Sequence, residues 1–500
     1  MKRGHVYLIG AGPGDPGLIT QKALNVLANV DCIIYDFLSN SDIIQGMDCE
    51  KIYVGKKGSD HTLPQDEINQ LLILKAKDGK RVARLKGGDS FIFGRGGEEA
   101  EELVENGITY SVIPGISSFY SAPAYAGIPL THRDYANSFE VITGHRRGDA
   151  PPEESINLPE YDGNKTFVFL MGMKNLDYIT DQLINSKNFP EETPIGIISW
   201  GTTPRQRVVT GTLKNIVKIA GDKGIRAPAI IIIGGVVLLR DRLKWFDNLP
   251  LFGIDIVVTR TREQASILSE KLLALGAGVI EFPTIEIVEK SDLSALRSAI
   301  ENIENYNWII FTSQNAVKIF FKTLENMSKD ARSLFPARVA AIGPATAKEL
   351  MKRSIKPDMV PSEYVAEEII EEMKRIGVDG ANILLPCAQE ARETLKDGLI
   401  KLGARVDRIH IYDTIIPGSI PDPIREEIKS AGLITFTSSS TARNFFTIIK
   451  DTDSATACIG PITADAVKKK GHTPDIIASE YTIDGLVEAI VEWRRGNKAL

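Results

Sequence analysis

The sequence predicts an α/β chain in two halves, each built of two lobes. Three observations lead there. Short apolar strands run into glycine-rich loops and then into helices, as His5–Ile9 (HVYLI) does into GAGPGDPG and Arg81–Leu85 (RVARL) into KGGDSFIFGRGG. That order is a βαβ unit, with ligand sites expected at strand C-termini. A length of 500 residues is too great for one ordinary core. Beyond Gly253 the style of the chain changes and an internal repeat sets in.

Composition narrows the class. With 43% hydrophobic and 25% charged residues the chain is of globular type. A net charge of −6 gives no global basic field for nucleic acid, so an anionic ligand needs local Arg and Lys clusters. Cys32, Cys49, Cys387 and Cys458 form no CxxC pair and the histidines no HxxxH, so no metal site is expected. Scattered cysteines and no export signal fit a reducing cytoplasm. The longest apolar run, Ala229–Leu239, is broken by Gly234-Gly235, falls short of a membrane span and reads as a buried strand.

Taken in order, the first strand precedes a helix over Thr20–Asn29 and a second strand, Asp31–Tyr35, that ends at Asp36. Lys56 follows in VGKKG. The stretch Arg84–Glu99 is the densest in unusual choices: Gly87, Gly88, Gly94, Gly96 and Gly97 surround Phe91-Ile92-Phe93. Such a loop lets backbone approach a ligand closely, and Asp89 within it is an acceptor suited to ribose hydroxyls or an ammonium. Glu98 and Glu99 load the start of the next helix with negative charge, which discourages a phosphate there. Pro114-Gly115 reads as the turn between lobes of about 1–113 and 116–245, and Asn248–Gly253 (NLPLFG) as the joint between the halves. Gly12, Gly14 and Gly17 also match the dinucleotide pattern GxGxxG, with Asp36 near the ribose-binding position. An NAD-dependent oxidoreductase is therefore an alternative, discounted because Asp15 would lie where pyrophosphate sits and Pro13 and Pro16 remove two N–H donors.

In the second half Phe311–Ala316 (FTSQNA) recurs as Phe436–Ala442 (FTSSSTA), and Ala341–Ala347 (AIGPATA) as Cys458–Ala464 (CIGPITA). Ser362-Glu363-Tyr364 recurs as Ser479-Glu480-Tyr481 at the same spacing from the IGP element (342 to 362, 459 to 479). Between FTS and IGP the spacing differs (311 to 342, 436 to 459), so a loop varies. Two copies of one α/β unit facing each other make a cleft lined by the repeated loops.

The loop Arg84–Glu99, with GAGPGDP, Val112–Ser118 (VIPGISS), Gly127–Arg133 (GIPLTHR), Thr143–His145, Met171-Gly172, Gly201-Thr202 and Gln206-Arg207, resembles the uroporphyrinogen-III C-methyltransferases of the tetrapyrrole methylase family. Ser90 stands where that family usually has Pro, and Ser199-Trp200 departs from the polar pair expected before Gly201. The resemblance implies a domain over 1–248, S-adenosylmethionine as methyl donor, no metal, and a homodimer. It further implies Asp36 and Lys56 as proton acceptor and donor, and adenosylmethionine contacts from Pro13, Gly87, Gly88, Asp89, Ile92, Ser117, Ser118, Met171 and Gly201. Read as residues, Asp36 is equally a turn or capping group, Lys56 a solvated lysine and Met171 a core residue. A polycarboxylate substrate calls for Arg84, Lys86, Arg95 and Arg133 at the rim, with Arg146 and Arg207 in reserve.

The repeat, with LLPCAQEARETL (384–395) and GARVDRIHIYDT (403–414), resembles uroporphyrinogen-III synthase. This implies a domain over 254–500, with an outer lobe of about 254–286 plus 415–500 and an inner lobe of about 287–414. Hydroxymethylbilane closure with inversion of one ring needs a positioning fold more than a nucleophile. Tyr412 matches the tyrosine that family singles out as an acid for the leaving hydroxyl, and is otherwise a buried strand aromatic. Thr312, Ser313, Thr346, Ser438, Ser439 and Thr463 either donate to substrate carboxylates or cap the helices that follow. The expected product of both halves is precorrin-2, on the way to sirohaem or cobalamin. The alternative is a methyltransferase fused to a non-catalytic tetrapyrrole-binding module.

Overall fold

A computed structural model describes residues 4–38, 43–44, 47–55, 63–144, 156–259, 262–361, 366–389, 393–416 and 422–497. Its strands form four five-stranded sheets. Two compact units contain them, one of 1–256 with 269–279 and 487–500, the other of 257–268 with 280–486.

The first sheet holds β1 (His5–Gly10), β2 (Cys32–Tyr35), β3 (Glu50–Tyr53), β4 (Arg81–Lys86) and β5 (Thr109–Ile113) in the order β3-β2-β4-β1-β5. All four pairings are parallel. The strands are apolar on both faces (Ile9, Ile33, Ala83 and Leu85 on one, Val6, Leu8, Ile34 and Val82 on the other), as a sheet covered by helices on both sides requires. Because β1 lies between β4 and β5, the loops leaving these three neighbours open at one edge, and Asp36 leaves β2 beside them. The second sheet comprises β6 (Ser138–Thr143), β7 (Lys165–Leu170), β8 (Pro194–Ser199), β9 (Arg207–Thr212) and β10 (Ala229–Ile233), ordered β6-β7-β10-β8-β9. Only β6–β7 is parallel. The apolar run expected as one strand to Leu239 stops at Ile233. Gly234 takes φ 137° and the chain turns into a 3-10 helix, Gly235–Leu239.

The back half contributes β11 (Asp255–Val258), β12 (Gly278–Glu281), β13 (Glu286–Glu289), β14 (Trp308–Phe311), β15 (Arg338–Ala341), β16 (Asn382–Ala388), β17 (Arg405–Ile415), β18 (Leu433–Phe436), β19 (Ala455–Cys458) and β20 (Ile476–Ile477). They form the sheets β12-β11-β18-β19-β20 and β13-β17-β16-β14-β15. The chain thus begins one sheet, builds the other, and returns to the first.

The sequence repeat is a structural one. In each copy FTS ends a strand and Ser313 or Ser438 caps the following helix, Gln314–Asn326 or Ser439–Ile448. The second strand is parallel to the first, and IGP starts the helix Pro344–Met351 or Pro461–Lys468. The copies also share a clasp the motifs did not include. Asp358 Oδ2 accepts from Val339 N at 2.7 Å, and Asp475 Oδ2 from Thr456 N at 2.8 Å. Ser362-Glu363-Tyr364 lies outside the described residues.

Removing either clasp strands a strand amide at a buried residue. Asp358→Ala and Asp475→Ala are each expected to lower the unfolding free energy of the back half by about 1–3 kcal/mol, read from a lower urea midpoint at unchanged slope. Asp465→Ala, at an exposed surface pair, is expected to stay within about 0.5 kcal/mol.

Candidate active sites

The first site is made by strand ends brought closer than side chains allow. A Cβ on Gly10 would stand 2.6 Å from both Gly115 Cα and Gly88 O. Gly88, at φ 69°, exchanges backbone hydrogen bonds with Gly12 (Gly88 N to Gly12 O, 2.7 Å; Gly12 N to Gly88 O, 3.2 Å). Asp89 fastens the arrangement: Oδ1 accepts from Phe91 N and Oδ2 from Gly115 N, each at 2.8 Å. Its carboxylate therefore shapes the loops first, and each oxygen has lone-pair capacity left for a ligand.

The second lobe closes on this edge. A Cβ on Gly14 would lie 2.6 Å from Thr203 Cγ2. Asp15 N donates to Thr202 Oγ1 (3.2 Å), Tyr125 OH donates to Asp15 Oδ2 (2.6 Å), and Thr202 N donates to Gln206 Oε1 (3.0 Å). Gln206 Nε2 in turn reaches Asp247 Oδ1 at 2.7 Å, and Asp247 pairs with Arg240. The structure thus brings together Pro13, Gly87, Gly88, Asp89, Ser117, Ser118 and Gly201, with Ser117 buried at the start of helix Ser118–Tyr125 and Gly201 against Ala122 of that helix. Ile92 is exposed on the loop after β4. Met171 follows β7 with half its surface exposed (50%) at φ 57°, which is not how a core methionine sits. Phe93, Arg95, Trp200 and Thr202 share that left-handed conformation; such strain in L-residues gathers at functional loops.

The cationic rim requires correction. Arg84 and Lys86 are buried, not at the rim, because β4 carries them inward onto Glu99 of helix Gly96–Glu105. Lys86 Nζ donates to Glu99 Oε1 at 2.6 Å and Arg84 Nε donates to the same oxygen at 3.2 Å, while Arg84 Nη2 donates to Asp36 Oδ2 at 3.1 Å. Burial pulls the Lys86 pKa down, against the opposing charge of Glu99. Arg95 is at the surface, ion-paired with Glu98 at 2.6 Å. Arg133 is exposed without an ion pair among the described residues. Lys56 and Arg146 lie outside the described residues. Glu99 was missed as a functional candidate, although Gly96, Glu99, Ala100 and Leu103 fall on one helical face and all are buried.

The donor set fits a cationic cofactor better than a phosphate-bearing one. Asp15, Asp36 and Asp89 all sit at the loops of this edge, and the cradle is backbone rather than side chain. Adenosylmethionine, when bound, supplies an electrophilic methyl on a sulfonium. Pyrophosphate would meet the carboxylates instead.

The second site centres on Tyr412. Its hydroxyl lies 2.8 Å from Ser313 Oγ, which also caps its helix by accepting from Ala316 N at 3.1 Å. A bulge between Cys387 and Ala388 sets Tyr412 opposite Ala388. Burial raises the Tyr412 pKa, so the phenol keeps its proton at neutral pH. Thr312 is half-buried beside this pair. Thr346 and Thr463 lie in the first turns of their helices, each largely buried as a residue. Ser438 is absorbed in a capping box, and Ser439 Oγ donates to Ile462 O at 3.1 Å. Among the described residues no cluster of His, Cys, Asp or Glu is placed to hold a metal, and no helix is long and apolar enough to cross a membrane.

Ser90, the departure at the signature loop, is fully buried and its Oγ has no hydrogen-bond partner. Ser90→Ala is expected to raise the melting temperature of the front half, since an unmet buried hydroxyl costs about 1–3 kcal/mol. An unchanged or lower melting temperature would contradict that accounting.

Two family profiles match the chain: Tetrapyrrole (Corrin/Porphyrin) Methylases over residues 5–217, and Uroporphyrinogen-III synthase HemD over residues 266–488. The porphyrin biosynthesis protein HemD of Ruminiclostridium josui is 39% identical over 506 aligned positions, spanning 99% of each chain. The uroporphyrinogen-III C-methyltransferase of Bacillus subtilis (strain 168) is 42% identical over 369 positions, 72% of this chain and 74% of that one. Among solved structures, uroporphyrin-III-C-methyltransferase from Thermus thermophilus is 37% identical over 49% of this chain and 97% of its own, with a TM-score of 0.41. On the full-length relationship, the chain belongs to the family of the porphyrin biosynthesis protein HemD, with a tetrapyrrole methylase segment preceding a uroporphyrinogen-III synthase segment.

Proposed function

We propose that the chain is a bifunctional enzyme of tetrapyrrole biosynthesis. Its back half, about 254–500, closes hydroxymethylbilane to uroporphyrinogen III. Its front half, about 1–248, methylates that product at C2 and C7 with adenosylmethionine to give precorrin-2. The observation that carries the reading is the end-to-end relationship to one porphyrin biosynthesis protein, with both family segments in the same order. It favours a working synthase over a non-catalytic binding module.

In the front half the backbone cradle at Gly88 and Gly115 fixes the cofactor's place, and alignment of donor and acceptor carbon is the largest protein contribution. Asp36, held by its hydrogen bond from Arg84, takes the proton released as the macrocycle rearranges. Lys56 is assigned the donor's part on the family motif alone. Arg133 and Arg95 meet substrate carboxylates, Arg95 by exchanging Glu98 for them. In the back half Tyr412, neutral and hydrogen-bonded to Ser313, protonates the departing hydroxyl. Thr312, Ser313, Ser438 and Ser439 hold carboxylates from the helix starts, Ser438 and Ser439 by exchanging their present hydroxyl acceptors for substrate oxygens. The enzyme is cytoplasmic, needs no metal, and pairs through the front half as a homodimer.

The reading is tested by incubating the full chain anaerobically with hydroxymethylbilane, oxidising the products and separating the porphyrin isomers. Excess isomer III is expected, and a dimethylated product on adding adenosylmethionine. Isomer I alone would reject the synthase, and absence of dimethylation would reject the transferase. Tyr412→Phe is expected to slow isomer III formation by about 10-fold or more while leaving methylation of supplied uroporphyrinogen III intact.

A further inference from the structure

We propose that Glu99 is a positioning residue for methyl transfer, holding Arg84 so that the outer edge of its guanidinium orients the Asp36 carboxylate. The proposal rests on the reading of Asp36 as proton acceptor.

Glu99 is fully buried, and a buried carboxylate is costly unless well paired. Its pairing is one-sided. Oε1 accepts from Lys86 Nζ (2.6 Å), Gln65 Nε2 (3.0 Å) and Arg84 Nε (3.2 Å), whereas Oε2 is buried without any hydrogen-bond partner. A carboxylate serving only to neutralise two cations would spread its donors over both oxygens. Here the donors converge on the oxygen that faces Arg84.

Arg84 is the bridge. Its Nε is committed to Glu99, Nη1 to the Leu85 carbonyl at 3.1 Å, and Nη2 to Asp36 Oδ2 at 3.1 Å. Three edges of one planar group are thereby fixed, which a lysine ammonium cannot reproduce. The other Asp36 oxygen accepts from Leu38 N at 3.2 Å, so the carboxylate is oriented from both sides. Several charged or titratable groups among the described residues face the relay. Tyr53 feels the Asp36 charge, and its pKa is raised mainly by burial. Lys86 faces Glu99, Arg84 and Asp36, and Arg95 senses Glu99 from the helix start. Asn69, beside Gln65, binds Glu102 and holds Gln65 in line. The relay runs from the helix after the signature loop, through β4, to the strand end where the chemistry is placed.

A double-mutant cycle on the full chain separates this role from mere packing. Uroporphyrinogen III is supplied with adenosylmethionine, and kcat is measured for the native chain, Glu99→Gln, Asp36→Asn and the pair, with adenosylmethionine affinity by calorimetry. Glu99→Gln is expected to lower kcat by about 10-fold or more with affinity held within about twofold. In the Asp36→Asn background the same change is expected to cost less than about twofold, because its route of action is gone. Equal losses in both backgrounds would overturn the proposal. Should Glu99→Gln fail to bind the cofactor, Arg84→Lys takes its place in the cycle and is read the same way. Full activity in Asp36→Asn would instead overturn the underlying assignment of Asp36.

Discussion

Three neighbouring strands of the first sheet end with their backbones nearly touching at Gly10, Gly88 and Gly115. A methyl group at Gly10 or Gly115 would collide with main chain, not with a side chain that can turn away, and Gly88 is held at a left-handed φ of 69°. That closeness lets Gly12 and Gly88 trade hydrogen bonds across the loops and lets Asp89 reach the amide of Gly115. Everything proposed for the front half depends on it. The cradle is backbone, so it can lie flat against an uncharged or cationic ligand. The carboxylates Asp15, Asp36 and Asp89 then set the sign of the charge it tolerates.

The back half solves a different problem. It has no nucleophile arrangement among its described residues and instead repeats one strand–helix–strand–helix unit. Each unit pins its second strand with an aspartate, Asp358 or Asp475, and turns a serine N-cap toward the strand ends. Tyr412 enters this frame on the long strand β17, re-aimed by a bulge to meet Ser313. A buried neutral phenol fits a reaction that needs one proton delivered and a flexible substrate held.

Much of this was legible in the sequence, for identifiable reasons. Glycine-rich loops after short strands gave the α/β class, and the recurrence of FTS and IGP gave the paired units, because both are local patterns. What failed was the direction of long side chains. Arg84 and Lys86 looked like rim cations, yet alternation along β4 sends both inward, where Glu99 waits on a helix. The helical spacing of Gly96, Glu99, Ala100 and Leu103 carried that information, but an acidic pair at a helix start reads first as a dipole effect. The pairing of Tyr412 with Ser313 joins residues far apart in sequence that no local pattern connects. The latch from Asp15 through Tyr125 and Thr202 to Gln206 was invisible for the same reason.

The most direct measurement is the affinity of the full chain for adenosylmethionine, by calorimetry, beside that of Gly115→Ala. The added methyl would stand against Gly88 O and the backbone of Gly10, forcing the loops apart. The account expects binding to the native chain and a loss of about 10-fold or more in the variant, with the cooperative melting transition of the front half retained as the check on folding. Equal affinity in the two chains would contradict the claim that the touching strand ends make the cofactor site.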